Sequence, residues 1–280
     1  MSSIATAMQQ LSPVFITAPT ARNGVTLIQR LFNSSRRIAV YGENLILMDR
    51  LPMLVHTTVF QHKACAEEIR DSRRKFLEET TEYWSSNLGP DTEESMLLMF
   101  DSFYRHVKMY DDTARRDGFD RWGVKHPMSN VHMIERLRTL LPKSRFVFIY
   151  RNLFEVAASA KARQFIKSAA DMRNYAVMWQ TNLLRVLDEK APDTLILRHD
   201  ELVADPADAV ARIEAFTGVT GIDQSVTQRK INTFDSNLPG RASGSYVAPM
   251  PLNDEETDIL RRFAADALAR TGYEHSHLVA

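Results

Sequence analysis

The sequence predicts an α/β fold with a mostly parallel central sheet, and three observations carry that reading. Short apolar runs rich in β-branched and aromatic residues alternate with longer stretches of helical period. The runs are almost continuously apolar rather than alternating, as strands buried on both faces are. Only residues 51–118 break the rhythm: they hold no convincing strand, but many charges at helical spacing, and so read as a helical insertion.

The elements follow in order. Residues 13–18 (PVFITA) form the first strand, followed by an Asn-Gly turn and a helix over 25–33. Residues 38–41 form a second short strand. In the insertion, Met96, Met99, Phe100, Phe103 and Tyr104 mark an apolar helix side that reads as core, whereas Glu67, Glu68, Arg70, Asp71, Arg73 and Arg74 read as solvated faces. Residues 121–125 (RWGVK), 145–150 (RFVFIY) and 194–198 (TLILR) complete five strands, with helical periods over 130–141, 153–167, 171–190 and 206–217. Residues 232–251, rich in Gly, Ser and Pro, read as a long loop of the kind that forms a lid.

Composition narrows the partners. The 35 basic and 35 acidic residues cancel, so no global field draws the chain to nucleic acid or an anionic membrane, and any anion site is local. Cys65 is the only cysteine, which excludes an intrachain disulfide and fits a reducing compartment. No signal-peptide pattern opens the chain and no apolar run is long enough to span a bilayer, so the expectation is a cytoplasmic protein without membrane partners. No metal-ligand cluster is evident.

The first strand runs into Pro19-Thr20-Ala21-Arg22-Asn23-Gly24-Val25-Thr26-Leu27 and then an amphipathic helix. A turn that opens into a helix presents unpaired N–H groups at the positive end of the helix dipole, which suits a phosphate. Gly24 permits close approach, Arg22 adds charge and Thr26 a hydroxyl. No Gly-Lys-Ser/Thr follows, so this is not a Walker A loop. A strand, one glycine and a helix also occur with no ligand at all.

In this turn the sequence resembles the PAPS-dependent sulfotransferases, whose first strand ends in a Pro-Lys/Arg-Ser-Gly-Thr-Thr type loop around the 5′-phosphosulfate of PAPS (3′-phosphoadenosine 5′-phosphosulfate). Arg22 falls on the basic position, Asn23 on the serine, Gly24 on the glycine, Val25 and Thr26 on the two threonines, with Leu27 next. Asn23 and Val25 depart from that pattern, but backbone donors survive both changes.

A second stretch ends a strand in Arg151 and leads to Ser159 on the next helix. A guanidinium fork and a hydroxyl there can converge on one anion above the strand ends. The pair resembles the family's 3′-phosphate motif, and the preceding Leu141-Pro142-Lys143-Ser144-Arg145-Phe146 is also similar; Asn152-Leu153 replaces the usual Asp-Pro. The competing reading has Arg151 capping a local carboxylate such as Glu155. Further on, Leu197-Arg198-His199-Asp200-Glu201-Leu202 resembles the family's Tyr-Glu-Asp-Leu segment, which puts His199 either against the adenine or simply at a strand end.

For the chemistry, Glu43 in Val40-Tyr41-Gly42-Glu43 corresponds to the catalytic glutamate of tyrosylprotein-type relatives, although a carboxylate after a strand also serves as a helix cap. Lys125, in Gly123-Val124-Lys125-His126-Pro127, matches Gly-x-Lys-x-Pro and would stabilise transferring or leaving oxygens. His126 is the competing base. In the late loop Arg241 and Ser243 stand where the family contacts the 3′-phosphate, with Arg229-Lys230 as a rival.

The resemblance implies a single three-layer α/β/α P-loop-like domain over 1–280, with the insertion at about 51–118 and a lid at about 232–251. It implies PAPS as donor, no metal, in-line transfer to a hydroxyl with a carboxylate base, and a small-molecule, glycan or peptide acceptor, the first favoured by a cytoplasmic location. A homodimer is permitted. Two other classes stay open: a kinase on the same fold, which would need a Walker lysine, and a non-catalytic nucleotide-binding protein, which Asn23 and Val25 suggest.

Overall fold

The computed structural model describes residues 2–79, 81–86, 88–90, 92–128, 130–228 and 248–274. Its centre is a five-stranded sheet in the order β2-β3-β1-β4-β5, with every pairing parallel. The strands are β1 (Val14–Thr17), β2 (Ile38–Tyr41), β3 (Arg121–His126), β4 (Arg145–Tyr150) and β5 (Thr194–Arg198), all where the apolar runs place them. Parallel pairing brings every strand's C-terminal end to one edge. There the chain leaves the central β1 for β2 on one side and later crosses to β4 on the other, an arrangement that opens a crevice above the strand ends.

Helices cover both faces. On one face Val14, Ile16, Val40, Val147, Ile149 and Leu197 pack against α2 (Val25–Ser34), the short α8 (His199–Ala204) and α9 (Pro206–Thr217). On the other, Phe15, Trp122, Val124, Phe146 and Phe148 meet α4 (Thr92–Arg116), α5 (Val131–Leu140), α6 (Leu153–Ala162), α7 (Ala169–Glu189), α10 (Asp254–Phe263) and α11 (Ala265–Thr271). This is the three-layer α/β/α arrangement. The sheet is tight at its centre: a Cβ on Gly123 would lie 2.5 Å from the Val14 carbonyl oxygen, so only glycine lets β3 lie this close to β1.

The insertion is helical as expected. A π-helical turn (Ile46–Arg50) leads into α3 (Leu51–Glu78), which packs against α4. The apolar side of α4 buries Met96 and Phe103, and the Tyr110 ring stacks on Trp122 at 5.4 Å, fixing the insertion to β3.

Boundaries differ where side chains cap. The helix expected over 153–167 ends at Ala162, because Gln164 turns to φ 58° and Ser168 accepts the Asp171 N–H to start α7 at Ala169. Helices α1 (Ser2–Met8), α8, α10 and α11 lie outside the sequence expectations. Among the described residues no helix is long and apolar enough to cross a membrane.

Candidate active site

Burial of every residue of β1 delivers the chain to the sheet edge, where the turn through residues 19–24 opens α2. Arg22 (φ 72°) and Gly24 (φ 107°) both take the left-handed region, uncommon for a long side chain and a mark of an over-determined backbone. A Cβ on Gly24 would stand 2.7 Å from the His199 ring. The Leu27 and Ile28 N–H groups bond to the Gly24 carbonyl. Among the described residues no backbone carbonyl accepts from Gly24, Val25 or Thr26, so the helix start keeps donors for an anion.

The turn is held from beneath. Asn23 is fully buried and gives Nδ2 to the Thr20 carbonyl and hydroxyl, both at 2.9 Å, while its Oδ1 accepts the Arg151 N–H at 2.9 Å. From α7, Tyr175 donates its hydroxyl to the Ala21 carbonyl at 2.5 Å and Asn182 its amide to the Pro19 carbonyl at 2.8 Å. The Asn23 side chain therefore supports the turn and ties it to the start of the segment after β4. The Val25 side chain lies in the core beneath α2 and Leu27 packs beside it, so both can offer only backbone atoms.

Arg22 reaches across to α6 and donates Nε to the Ser159 hydroxyl at 3.0 Å, which joins the two phosphate motifs read from sequence. Burial, and then the charge of Arg163 and after it of Arg151, hold the Arg22 guanidinium below its ordinary value. Three guanidinium groups thus share one region, and a polyanion there would relieve their repulsion. Arg151 donates Nε to Glu155 at 2.6 Å, so the local carboxylate does take this arginine. His199 lies against Gly24; burial first, and the Arg151 charge second, push its imidazole down to about 4.

At the other side of the crevice, Lys125 donates Nζ to Glu43 at 3.0 Å and to the Thr26 hydroxyl at 3.3 Å. Glu43, its side chain 53% exposed, faces the opening, while Lys125 is 14% exposed. Neighbouring residues of a strand face opposite sides, and His126 points to the far face of β3 with Trp122 and Val124. Burial lowers the His126 imidazole. Its Nδ1, and the Thr17 hydroxyl of the register-paired residue on β1, are buried without partners among the described residues.

A model of the sulfotransferase family matches residues 13–224, the span that carries all five strands and every residue just described. The chain belongs to the sulfotransferase family. It is similar to the sulfotransferase domain of the Synechococcus PCC 7002 olefin synthase at 18% identity, over 91% of this chain and 96% of that one, with a TM-score of 0.47. It is similar to a sulfotransferase of Mycobacterium avium at 15% identity, over 96% and 79%, with a TM-score of 0.47. A mouse sulfotransferase complexed with PAP matches at 12% identity, over 81% and 68%, with a TM-score of 0.43. No curated protein matches significantly.

In this sulfotransferase Arg22, Gly24, Thr26, Glu43, Lys125, Arg151, Ser159 and His199 line one sheet edge, and His126 ends β3 at the same edge on the opposite side of the strand from Lys125, within reach of the Glu43 charge. Arg241 and Ser243, with the rival Arg229-Lys230, lie outside the described residues. Sequence reasoning missed Arg163, although it sits four residues after Ser159 and shares its helical side. It also missed Tyr175 and Asn182, whose signal was two polar groups seven residues apart on a helix.

Proposed function

We propose that this sulfotransferase moves a sulfuryl group from PAPS to the hydroxyl of a small acceptor, with Glu43 as general base. One observation carries the reading: Lys125 bridges Thr26, in the anion turn, and Glu43, at the mouth of the crevice. A cation that touches both sides of the reaction locus fits sulfuryl transfer, in which negative charge shifts from the acceptor to the leaving phosphate.

The donor set suits PAPS, which carries anionic groups at both ends of its ribose. The N–H groups at the start of α2, with Arg22, would hold the 5′ side. Arg151 and Ser159 would hold the 3′-phosphate, with Arg163 adding charge, and the His199 ring against Gly24 would flank the adenine. Arg241 and Ser243 join the 3′ contacts on the resemblance alone. When bound, PAPS supplies an activated sulfuryl group and a good leaving group. The chain's own work is then to orient an acceptor oxygen, take its proton on the Glu43 carboxylate and counter the leaving charge with Lys125. His126 is the second candidate for the base, since its Nδ1 is unpartnered, but it does not share a face with Lys125. A cytoplasmic location and a single domain belong to the same reading.

The test is to supply PAPS with a panel of phenols and aliphatic alcohols and follow PAP release and the sulfated product together. Product formation in step with PAP supports the reading. Tight PAP binding with no transfer to any acceptor favours the non-catalytic alternative, and preference for ATP favours a kinase.

A further inference from the structure

At the opposite end of the sheet, where the strands begin, a cleft of about 500 Å³ opens between the start of β3, the turn before β4 and the end of α9. Three cations line it: Arg121, Lys143 and Arg145. No carboxylate is among its lining residues, and none of the three forms an ion pair with a described acid. The nearest acid in sequence, Asp120, is committed to Arg37 at 2.7 Å.

Each cation is held differently. Arg121 is pinned, donating to the Ser12 carbonyl at 2.6 Å and to the Thr217 carbonyl at the end of α9. That second bond occupies a helix-end carbonyl that would otherwise repel an anion. Arg145 lies over the Phe216 ring at 5.6 Å, a stacking contact that uses the guanidinium face rather than its N–H edge, and it lines the cleft. Lys143 is exposed and donates to the Gln10 amide oxygen at 2.9 Å. Burial, and then the charge of Arg145, lower the Arg121 guanidinium, so Arg145 stands close enough to repel it.

We propose that this cleft is a second anion site, distant from the crevice at the strand C-termini, that takes a small phosphate- or sulfate-bearing ligand through Arg145 and Lys143, with Arg121 as a fixed positive floor. Three positive charges without an acid call for an oxyanion carrying at least two negative charges, and a guanidinium edge beside an ammonium matches tetrahedral oxygens better than a lone carboxylate.

Calorimetric titration of the full chain with inorganic pyrophosphate tests this, with Arg145→Ala, Lys143→Ala and Arg151→Ala in parallel. Pyrophosphate can also enter the other anion region, so the diagnostic is a binding component that survives Arg151→Ala. That component is expected to weaken at least tenfold in Arg145→Ala and several-fold in Lys143→Ala, with partial recovery in Arg145→Lys. Lys143 is exposed, so its variant reports even if the loss of Arg145 perturbs folding. Inorganic sulfate and p-nitrophenyl phosphate, titrated alike, tell a free oxyanion from an esterified one. The proposal is overturned if no component survives Arg151→Ala, or if the surviving one is unchanged by both Arg145→Ala and Lys143→Ala.

Discussion

The side-chain oxygen of Asn23 accepts the backbone N–H of Arg151 at 2.9 Å, across 128 residues of sequence. Through this bond the turn after β1 and the turn after β4 form one unit. The asparagine that departs from the family's serine is thus the tie between the two anion motifs. Its amide also holds Thr20, so all its polar atoms are used in a fully buried position.

Asn23→Ala should therefore cost stability as well as ligand affinity. It leaves the Arg151 N–H and the Thr20 carbonyl without partners, a loss of about 1–3 kcal/mol. Urea denaturation of the variant, alone and with saturating PAP, checks this. A variant as stable as the parent would show that the tie is dispensable.

Glu155 competes with any anion for Arg151, which donates to it at 2.6 Å. The pair is partly exposed, so it is weak, worth about 1 kcal/mol or less. Glu155→Gln should tighten PAP binding by a few-fold at most and steepen its dependence on salt, since the site gains positive charge toward an anion. Weaker binding in this variant would mean that Glu155 orients Arg151 rather than occupying it.

The geometry also separates the two candidate bases. Glu43→Gln keeps the shape beside Lys125 but cannot take a proton, and should lower turnover by about 10²–10⁴-fold with PAP affinity retained. His126→Asn, on the side of β3 opposite Lys125, should lower turnover far less than Glu43→Gln does. Lys125→Ala should reduce turnover more than binding. If His126→Asn is the inactive variant and Glu43→Gln turns over normally, the proton goes to the histidine.

His199 gives the fold a particular sensitivity to acid. Its folded-state pKa is pushed down to about 4, below the ordinary value of roughly 6.5 for an unfolded histidine. Between those values the unfolded chain binds a proton that the folded chain does not, so this contribution to stability is present at neutral pH and is lost as pH falls. Replacement by Phe should flatten the stability slope between about pH 4.5 and 6 by up to about 1.4 kcal/mol per pH unit. Urea midpoints for both proteins across that window are the measurement, and identical slopes would contradict the assignment.

Much of this was legible in the sequence, for physical reasons. The five strands are buried on both faces, so their apolar runs are unbroken and local. Gly24, Arg22, Glu43, Lys125 and Arg151 stand at strand ends or in the turns after them, with Ser159 two turns into the helix that follows β4, and parallel pairing sends those ends to one edge. Choice of partner was not legible, because it is made between segments far apart in the chain. Arg22 meets Ser159, and Asn23 the Arg151 N–H, through packing that no local pattern encodes, whereas the Arg151–Glu155 pair, four residues apart, was open to reading as the competing partner. The C-terminal α10 escaped notice because its acidic first turn and basic last turn leave only Leu260 buried, too thin a stripe to read.

The central claim is that this edge of the sheet recognises a nucleotide phosphorylated at both the 3′ and 5′ positions. Calorimetric titration with PAP, 5′-AMP and ATP, on the parent chain and on Arg151→Ala, tests it most directly. The account predicts that PAP binds much more tightly than either competitor, and that Arg151→Ala removes about 1.5–3 kcal/mol of the advantage over AMP. Equal affinity for PAP and AMP, or an advantage untouched by Arg151→Ala, would contradict it.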